Sequence, residues 1–147
     1  MHLRDAIVAS IVALTHPSVS RDDATRRADE YAPMFLREYP EDPFLAVAVA
    51  AHESAGFRPW KVGPAGEIGV MQINPRAYPE VDPVLLYDGA TNIRLGCARL
   101  RKVAEKCKGG PARWLGRYPG RKCGPTKYAD RVLRLLSKVA RFRAVAS

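Results

Sequence analysis

Between Arg58 and Gly89 the chain runs for more than 30 residues with no helical or strand-like repeat. Pro59, Gly63, Pro64, Gly66, Gly69, Pro75, Pro79, Pro83 and Gly89 punctuate it, with short apolar pieces between them. An irregular stretch of that length is either disordered or functional. The patterns on both sides are helical, so the expected class is all-α: a mainly helical chain with one long irregular segment lining a cleft.

The helices follow from apolar spacing and from their end signals. Leu3, Ile7, Ile11 and Leu14 form one stripe, which predicts an amphipathic N-terminal helix rather than a cleaved signal. Asp5 interrupts the part that should be basic, and no A-x-A site follows. Ser20 with Asp23 reads as a capping-box start for a helix that buries Ala28, Tyr31, Ala32, Phe35, Leu36 and Tyr39. Pro33 inside that run should kink or split it. Asp42 as N-cap and Pro43 at the first helical position open the next helix, and Gly56 should close it. After the irregular segment, Ile93, Gly96, Cys97, Leu100, Val103, Ala104 and Cys107 repeat every three or four residues. A short helix is expected at "PARWLGRY". A final one over "TKYADRVLRLLSKVARF" points Tyr128, Val132, Leu135, Leu136, Val139 and Phe142 inward and leaves Arg131, Arg134, Lys138 and Arg141 as a solvated face.

The 147 residues suit one domain, 1–147, with an extra N-terminal helix over 1–19. No apolar run approaches the roughly 20 residues of a membrane span. A net charge of +9 favours a polyanionic partner: nucleic acid, anionic lipid, or a cell wall rich in carboxylates and phosphates. Cys97 and Cys107 lie ten residues apart on one expected helix, about 15 Å, too far for a bridge. A disulfide can therefore form only between Cys123 and one of them, Cys107 across the loop being the better placed, and the redox compartment is left open. The odd cysteine count and the lack of a nearby second histidine argue against a zinc site. His52-Glu53 also lacks the second histidine of H-E-x-x-H, so no metal is expected. No cofactor is expected, and neither is a second subunit.

Glu53 is the anomaly. It sits in the last turn of an otherwise apolar helix, where the negative end of the macrodipole disfavours its charge by about 0.3–1 kcal/mol. Val49 and Ala50, one turn back, desolvate it further. Both effects raise a carboxyl's pKa, which is the tuning a general acid needs. Thirteen residues on, "GEIGVMQINP" supplies glycines that let backbone approach a ligand, an apolar contact in Met71, and in Gln72 an amide that donates and accepts. That mixture suits a sugar, with its apolar ring faces and polar edges.

"HES-AGF", "GEIGVMQINP", "TNIRLGCARL" and "KYADRV", in that order, resemble the soluble lytic transglycosylase domain of the lysozyme superfamily, a relative of goose-type lysozymes. The resemblance spans residues 28–136. It implies Glu53 as catalytic acid/base and Ser54 as the serine that follows it. It implies Met71 and Gln72, with Ile73 beside them, as cleft residues, Asn92 as the asparagine of "NIxxG", and Tyr128 as the cleft tyrosine. Tyr118 in "RYPG" corresponds to a Tyr-Asn-Ala-Gly motif without its asparagine. Two further positions depart from the family: Gly63 where a serine is usual, and Glu67 where a small residue is common.

The resemblance implies cleavage of peptidoglycan between N-acetylmuramic acid and N-acetylglucosamine, with a 1,6-anhydro product. Ordinary glycosidases need two carboxylates. Here Asn74 stands where goose-type lysozymes carry an aspartate, and Glu67, Glu80, Asp82 and Asp88 lack a partner motif. A single-carboxylate mechanism through Glu53 is thus the first expectation, and hydrolysis by Glu53 plus a second carboxylate, Glu67 foremost, the second. A basic nucleic-acid-binding or non-catalytic wall-binding protein is the rival from another class; it accounts for the charge but not for Glu53 and the loop after it. The expected place of action is the cell envelope, periplasm or exterior, with a phage virion or lysis protein equally open.

Overall fold

The computed structural model describes residues 1–146. Seven helices account for most of them: α1 (Leu3–Leu14), α2 (Arg21–Glu38), α3 (Pro43–Ser54), α4 (Gly89–Lys106), α5 (Pro111–Trp114), α6 (Lys127–Lys138) and α7 (Ala140–Val145). Short 3-10 turns lie at Pro75–Ala77, Pro83–Tyr87 and Leu115–Arg117. Among the described residues the only β pairing is two isolated bridges, Val62 with Ile68 and Ile68 with Ile73, so the fold is all-α.

α3 is the central helix. Every residue from Pro43 to Ala51 is buried, which a helix apolar on all sides requires. Asp42 caps it by accepting from Leu45 N–H at 3.2 Å, with Pro43 in the first turn. α1 and α2 pack on one side of α3 and α6 on another, while α4 lies against α2 and α7 against α1. Each fully buried Val or Leu in such a helix is worth about 1.5–3 kcal/mol relative to exposure.

Four local expectations need correction. Pro33 does not split α2, which continues for 18 residues. The carbonyl it strands belongs to exposed Asp29, where water can serve it. The residue that turns the chain out of α3 is Ala55 at φ 46°, one position before Gly56. Gly56 (φ 126°) and Phe57 (φ 57°) follow, also left-handed. Such values cost of order 1 kcal/mol or more at a non-glycine residue, and burial of Phe57 edge-on against Phe35 holds them. The final helix breaks at Val139, separating α6 from α7, although Val132 and Val139 are buried as the spacing predicts. On α1, Ile7 and Ile11 are buried but Leu3 is exposed, because only the middle of the helix lies on α2 and α3.

The irregular segment is ordered. Ile68 and Ile73 exchange backbone hydrogen bonds at 2.9 Å, and Gly69 N–H donates to Lys61 O at 2.8 Å. Ile68, Val70, Met71, Ile73 and Leu86 are buried in the core. Asn92, fully buried on α4, ties the segment down: its amide donates to Ile68 O (2.7 Å) and Leu86 O (2.8 Å), and its oxygen accepts from Met71 N–H (2.7 Å). A Cβ at Gly96, one turn on, would strike the Met71 side chain. The "NIxxG" and "GEIGVMQINP" blocks therefore form one physical unit. Cys107 and Cys123 are joined in a disulfide, closing the loop that carries α5 and Tyr118. Cys97 is a buried thiol in the core.

Candidate active site

The C-terminal end of α3 has no side-chain cap, and cations take its carbonyls. Lys61 Nζ donates to Glu53 O at 2.7 Å, Arg58 Nε to Ser54 O at 3.0 Å, and Arg27 to Gly56 O at 2.8 Å. These bonds dock the irregular segment and α2 onto the helix end that carries Glu53.

Glu53 opens into a groove of about 460 Å³. It is lined by His52 and Glu53 of α3 and, from the irregular segment, by Lys61, Pro64 and Glu67 and by Gln72, Ile73, Asn74, Ala77 and Tyr78. Arg99 of α4 and the Tyr118–Gly120 turn complete the lining. Tyr128, from the first turn of α6, donates its hydroxyl to Glu53 Oε1 at 2.5 Å. Its ring stacks on Tyr118 (6.3 Å between centroids) and meets His52 edge-on (4.9 Å). Tyr118 is fixed in turn: its hydroxyl donates to Met71 O at 2.9 Å, and its carbonyl accepts from Arg99 Nε at 2.7 Å.

Burial pushes the Glu53 carboxyl up to about 7. The Tyr128 hydrogen bond and the positive charges of Lys61 and Arg99 pull the other way, while the charge of Glu67 adds to the rise. Burial also raises the Tyr128 phenol well above its ordinary value, so it remains a donor at any pH of interest. His52 is shifted down by burial, then by Arg131 and Lys61, which keeps its ring neutral near pH 7. With Oε1 engaged by Tyr128, the second oxygen of Glu53 is the one left to hold or take a proton. A group near neutrality in a sheltered groove can do both.

The residues singled out in the sequence fall into two sets. Glu53, Gln72, Ile73 and Tyr118 line the groove, and Tyr128 reaches it through Glu53. Ser54, Met71 and Asn92 do not: all three are fully buried behind the wall. Ser54 hydroxyl is spent on Ala50 O at 3.0 Å inside α3. Direct substrate contact by these three, expected from the resemblance, gives way to support of the wall. The Gln72 amide nitrogen is likewise turned inward, to Gly69 O and Lys61 O.

Sequence reasoning passed over His52, Lys61, Tyr78 and Arg99, all on the groove wall. Arg99 had a signal, since it stands seven residues past Asn92 on the same helical face. Of the spare carboxylates, only Glu67 lines the groove; Asp82 and Asp88 cap Pro83–Tyr87 and α4, and Glu80 is exposed. Gly63 and Glu67, the two positions that depart from the resemblance, are neighbours in space. A Cβ at position 63 would come within 2.5 Å of Glu67 Oε2 and 2.6 Å of Gln72 Oε1, so the carboxylate occupies space that a side chain at 63 would need.

Comparison with curated proteins and with solved structures returned no match. The family model for the transglycosylase SLT domain matches residues 31–130, the stretch that contains Glu53, the irregular segment, Asn92, Tyr118 and Tyr128. Such a domain implies a glycan-cleaving enzyme with peptidoglycan as substrate. The match covers about two thirds of the 147 residues, and the chain belongs to the transglycosylase SLT domain family.

Proposed function

We propose that this chain is a lytic transglycosylase that cleaves the β-1,4 bond between N-acetylmuramic acid and N-acetylglucosamine, using Glu53 first as acid and then as base. Protonated Glu53 gives its proton to the glycosidic oxygen, and the bond from that oxygen to C1 of the muramic residue breaks. The substrate's own acetamido group shields the developing cation. The C6 hydroxyl then bonds to C1 and its proton returns to Glu53, so no water is consumed and a 1,6-anhydro ring forms. Both halves need one group that can lose and regain a proton near neutral pH. The observation that carries this reading is the Glu53 carboxyl, sheltered in the groove at about 7 and bound on one oxygen by Tyr128. Gln72, Ile73 and Tyr118 are its substrate contacts, and Ser54, Met71 and Asn92 hold the wall behind them.

Hydrolysis is the second reading, and one observation favours it: Glu67 lines the same groove, and its charge acts on Glu53. A two-carboxylate muramidase would use it to activate water. Mass spectrometry of digested peptidoglycan separates the two. Anhydro ends, lighter than reducing ends by one water, support transglycosylation; reducing ends support hydrolysis. Glu67→Gln should leave release largely intact in the first case and abolish it in the second.

We read residues 1–147 as one monomeric catalytic domain acting at the cell envelope or outside the cell, from a virion or during lysis included. The Cys107–Cys123 disulfide fits an oxidising compartment. The +9 charge then serves to hold the enzyme on an anionic wall rather than on nucleic acid.

A further inference from the structure

A second hollow of about 230 Å³ opens off the groove, and Ala77, Tyr78, Arg99 and Gly120 line both. One wall is a single face of α4, where Arg99, Lys102, Val103 and Lys106 follow at helical spacing. The other is the Arg117–Arg121 turn, tethered by the Cys107–Cys123 disulfide. Five cations, Arg99, Lys102, Lys106, Arg117 and Arg121, line this side arm, and no carboxylate does. Among the described residues none of the five makes an ion pair, whereas Arg4, Arg26, Arg37, Arg101 and Arg143 all do. Arg99 is held in place by its bond to Tyr118 O, with its guanidinium 5.4 Å over the Tyr118 ring. Five like charges around one hollow repel one another, and an anionic occupant relieves that cost.

We propose that the side arm is a carboxylate-binding subsite for the peptide branch carried by the glycan strand. This rests on the reading of the groove as a peptidoglycan site. In a branched strand the lactyl carboxyl of each muramic residue is tied up in the amide bond to its peptide, so the negative charge of the polymer lies on the carboxylates of the peptide branches. An arm that meets the groove at Tyr78 and Arg99 receives a branch from a sugar seated beside Glu53. Its volume suits a short branch rather than a second polymer. The arm makes the enzyme read whether a strand still carries its peptides.

The test uses fluorescent glycan strands of matched length, with peptide branches intact or removed and the lactyl carboxyl so exposed capped as its simple amide, and a DNA duplex of similar length. Binding is measured by anisotropy at low salt with Glu53→Gln protein, so that strands are not consumed. Branched strands should bind about tenfold more tightly than bare ones, the gain from two or three surface carboxylate–cation contacts. Lys102→Glu/Lys106→Glu/Arg121→Glu, all at exposed positions, should erase that gap and leave affinity for bare strands within about twofold. Equal affinity for branched and bare strands overturns the proposal, as does a triple variant that weakens both alike. Tighter binding of the duplex than of branched glycan, lost in the same variant, overturns it in favour of nucleic acid. Fragment release by the wild-type protein is assayed separately. Its absence would sink the cleavage reading while the binding comparison still decides the arm.

Discussion

Tyr128 donates its phenolic proton to Glu53 Oε1 across 2.5 Å, from a ring held between Tyr118 and His52. The two residues lie 75 positions apart in the chain, on α6 and α3. Their contact sets two opposed effects on one carboxyl: burial lifts it, and the hydrogen bond, with Lys61 and Arg99, restrains it near 7. The balance leaves a group that can carry a proton in and take one back.

Glu53→Gln should abolish fragment release while stabilising the fold at alkaline pH. The folded chain holds this proton more tightly than the unfolded one, whose carboxyl titrates near 4.5. Stability is therefore fullest below about 4.5 and falls as pH rises through about 7, where the buried group must ionise. The loss is about 2 kcal/mol, discounted from the full shift because the groove leaves Glu53 partly exposed. Thermal melts should show the variant about 5 °C above wild type at pH 8 and level with it at pH 4. An equal shift at both pH values would contradict the burial account, and retained release would remove Glu53 as the acid.

Tyr128→Phe keeps the ring stack and deletes the donor. Without that bond the Glu53 carboxyl titrates higher still, so the alkaline limb of the pH–rate profile should move up. Turnover should fall about tenfold, the cost of one misplaced catalytic group. A lower rate with an unmoved limb would mean that the phenol acts on substrate and not through Glu53.

The parts of the chain that could be read early are those whose cause is local. Asp42 and Pro43 start α3 through bonds made within one turn, and Ser20 does the same for α2. The position of Glu53 at the end of an apolar helix already implied a raised carboxyl. What was hidden depends on distant contacts. Ala55, not Gly56, takes the first left-handed turn because Phe57 must reach Phe35. Pro33 leaves α2 unbroken because the residue whose carbonyl it strands, Asp29, is exposed to water. Motif letters also do not say which side of a wall a residue occupies. Asn92 and Met71 look like ligand contacts and prove to be buried supports, while Lys61, which lies in no motif, lines the groove with Arg99.

Asn92→Leu tests the support. The change would strip Met71 N–H and Leu86 O of their Asn92 partner in the core, while Ile68 O keeps its bond from Ile73 N–H. Unpaired buried groups cost about 1–3 kcal/mol each before relaxation, so a total loss near 4 kcal/mol is expected. Denaturant melts give the total, and hydrogen exchange at the Met71 amide should accelerate more than at α1. Uniform acceleration everywhere would show that Asn92 supports the whole fold rather than the groove wall.

Reduction of Cys107–Cys123 should destabilise the chain by about 3 kcal/mol, the closure entropy of a loop with a 16-residue separation. That loop carries Tyr118 and Gly120, so activity should fall before the fold melts. Melts and release assays with and without reductant check both. A protein equally active when reduced would show that packing alone holds the Tyr118 turn.

Gly63 and Glu67 provide the sharpest test of how many carboxylates the reaction needs. Gly63→Ser places a Cβ against Glu67 Oε2 and Gln72 Oε1, both at the ends of flexible side chains that can move aside. The stability cost should thus be small, below about 1 kcal/mol, and the damage should appear in the groove, where the displaced carboxylate and amide intrude on substrate. Release by Gly63→Ser is expected to fall about fivefold, a coupling of roughly 1 kcal/mol. Adding Glu67→Ala frees room into which the new side chain and the Gln72 amide can both shift, and the double variant should return to near wild-type release, because Glu53 alone moves the proton. If Glu67 instead activates water, Glu67→Ala abolishes release in both backgrounds and no rescue occurs. The four-way comparison therefore decides between the one-carboxylate and two-carboxylate reactions from rates alone, independently of the ends left on the product.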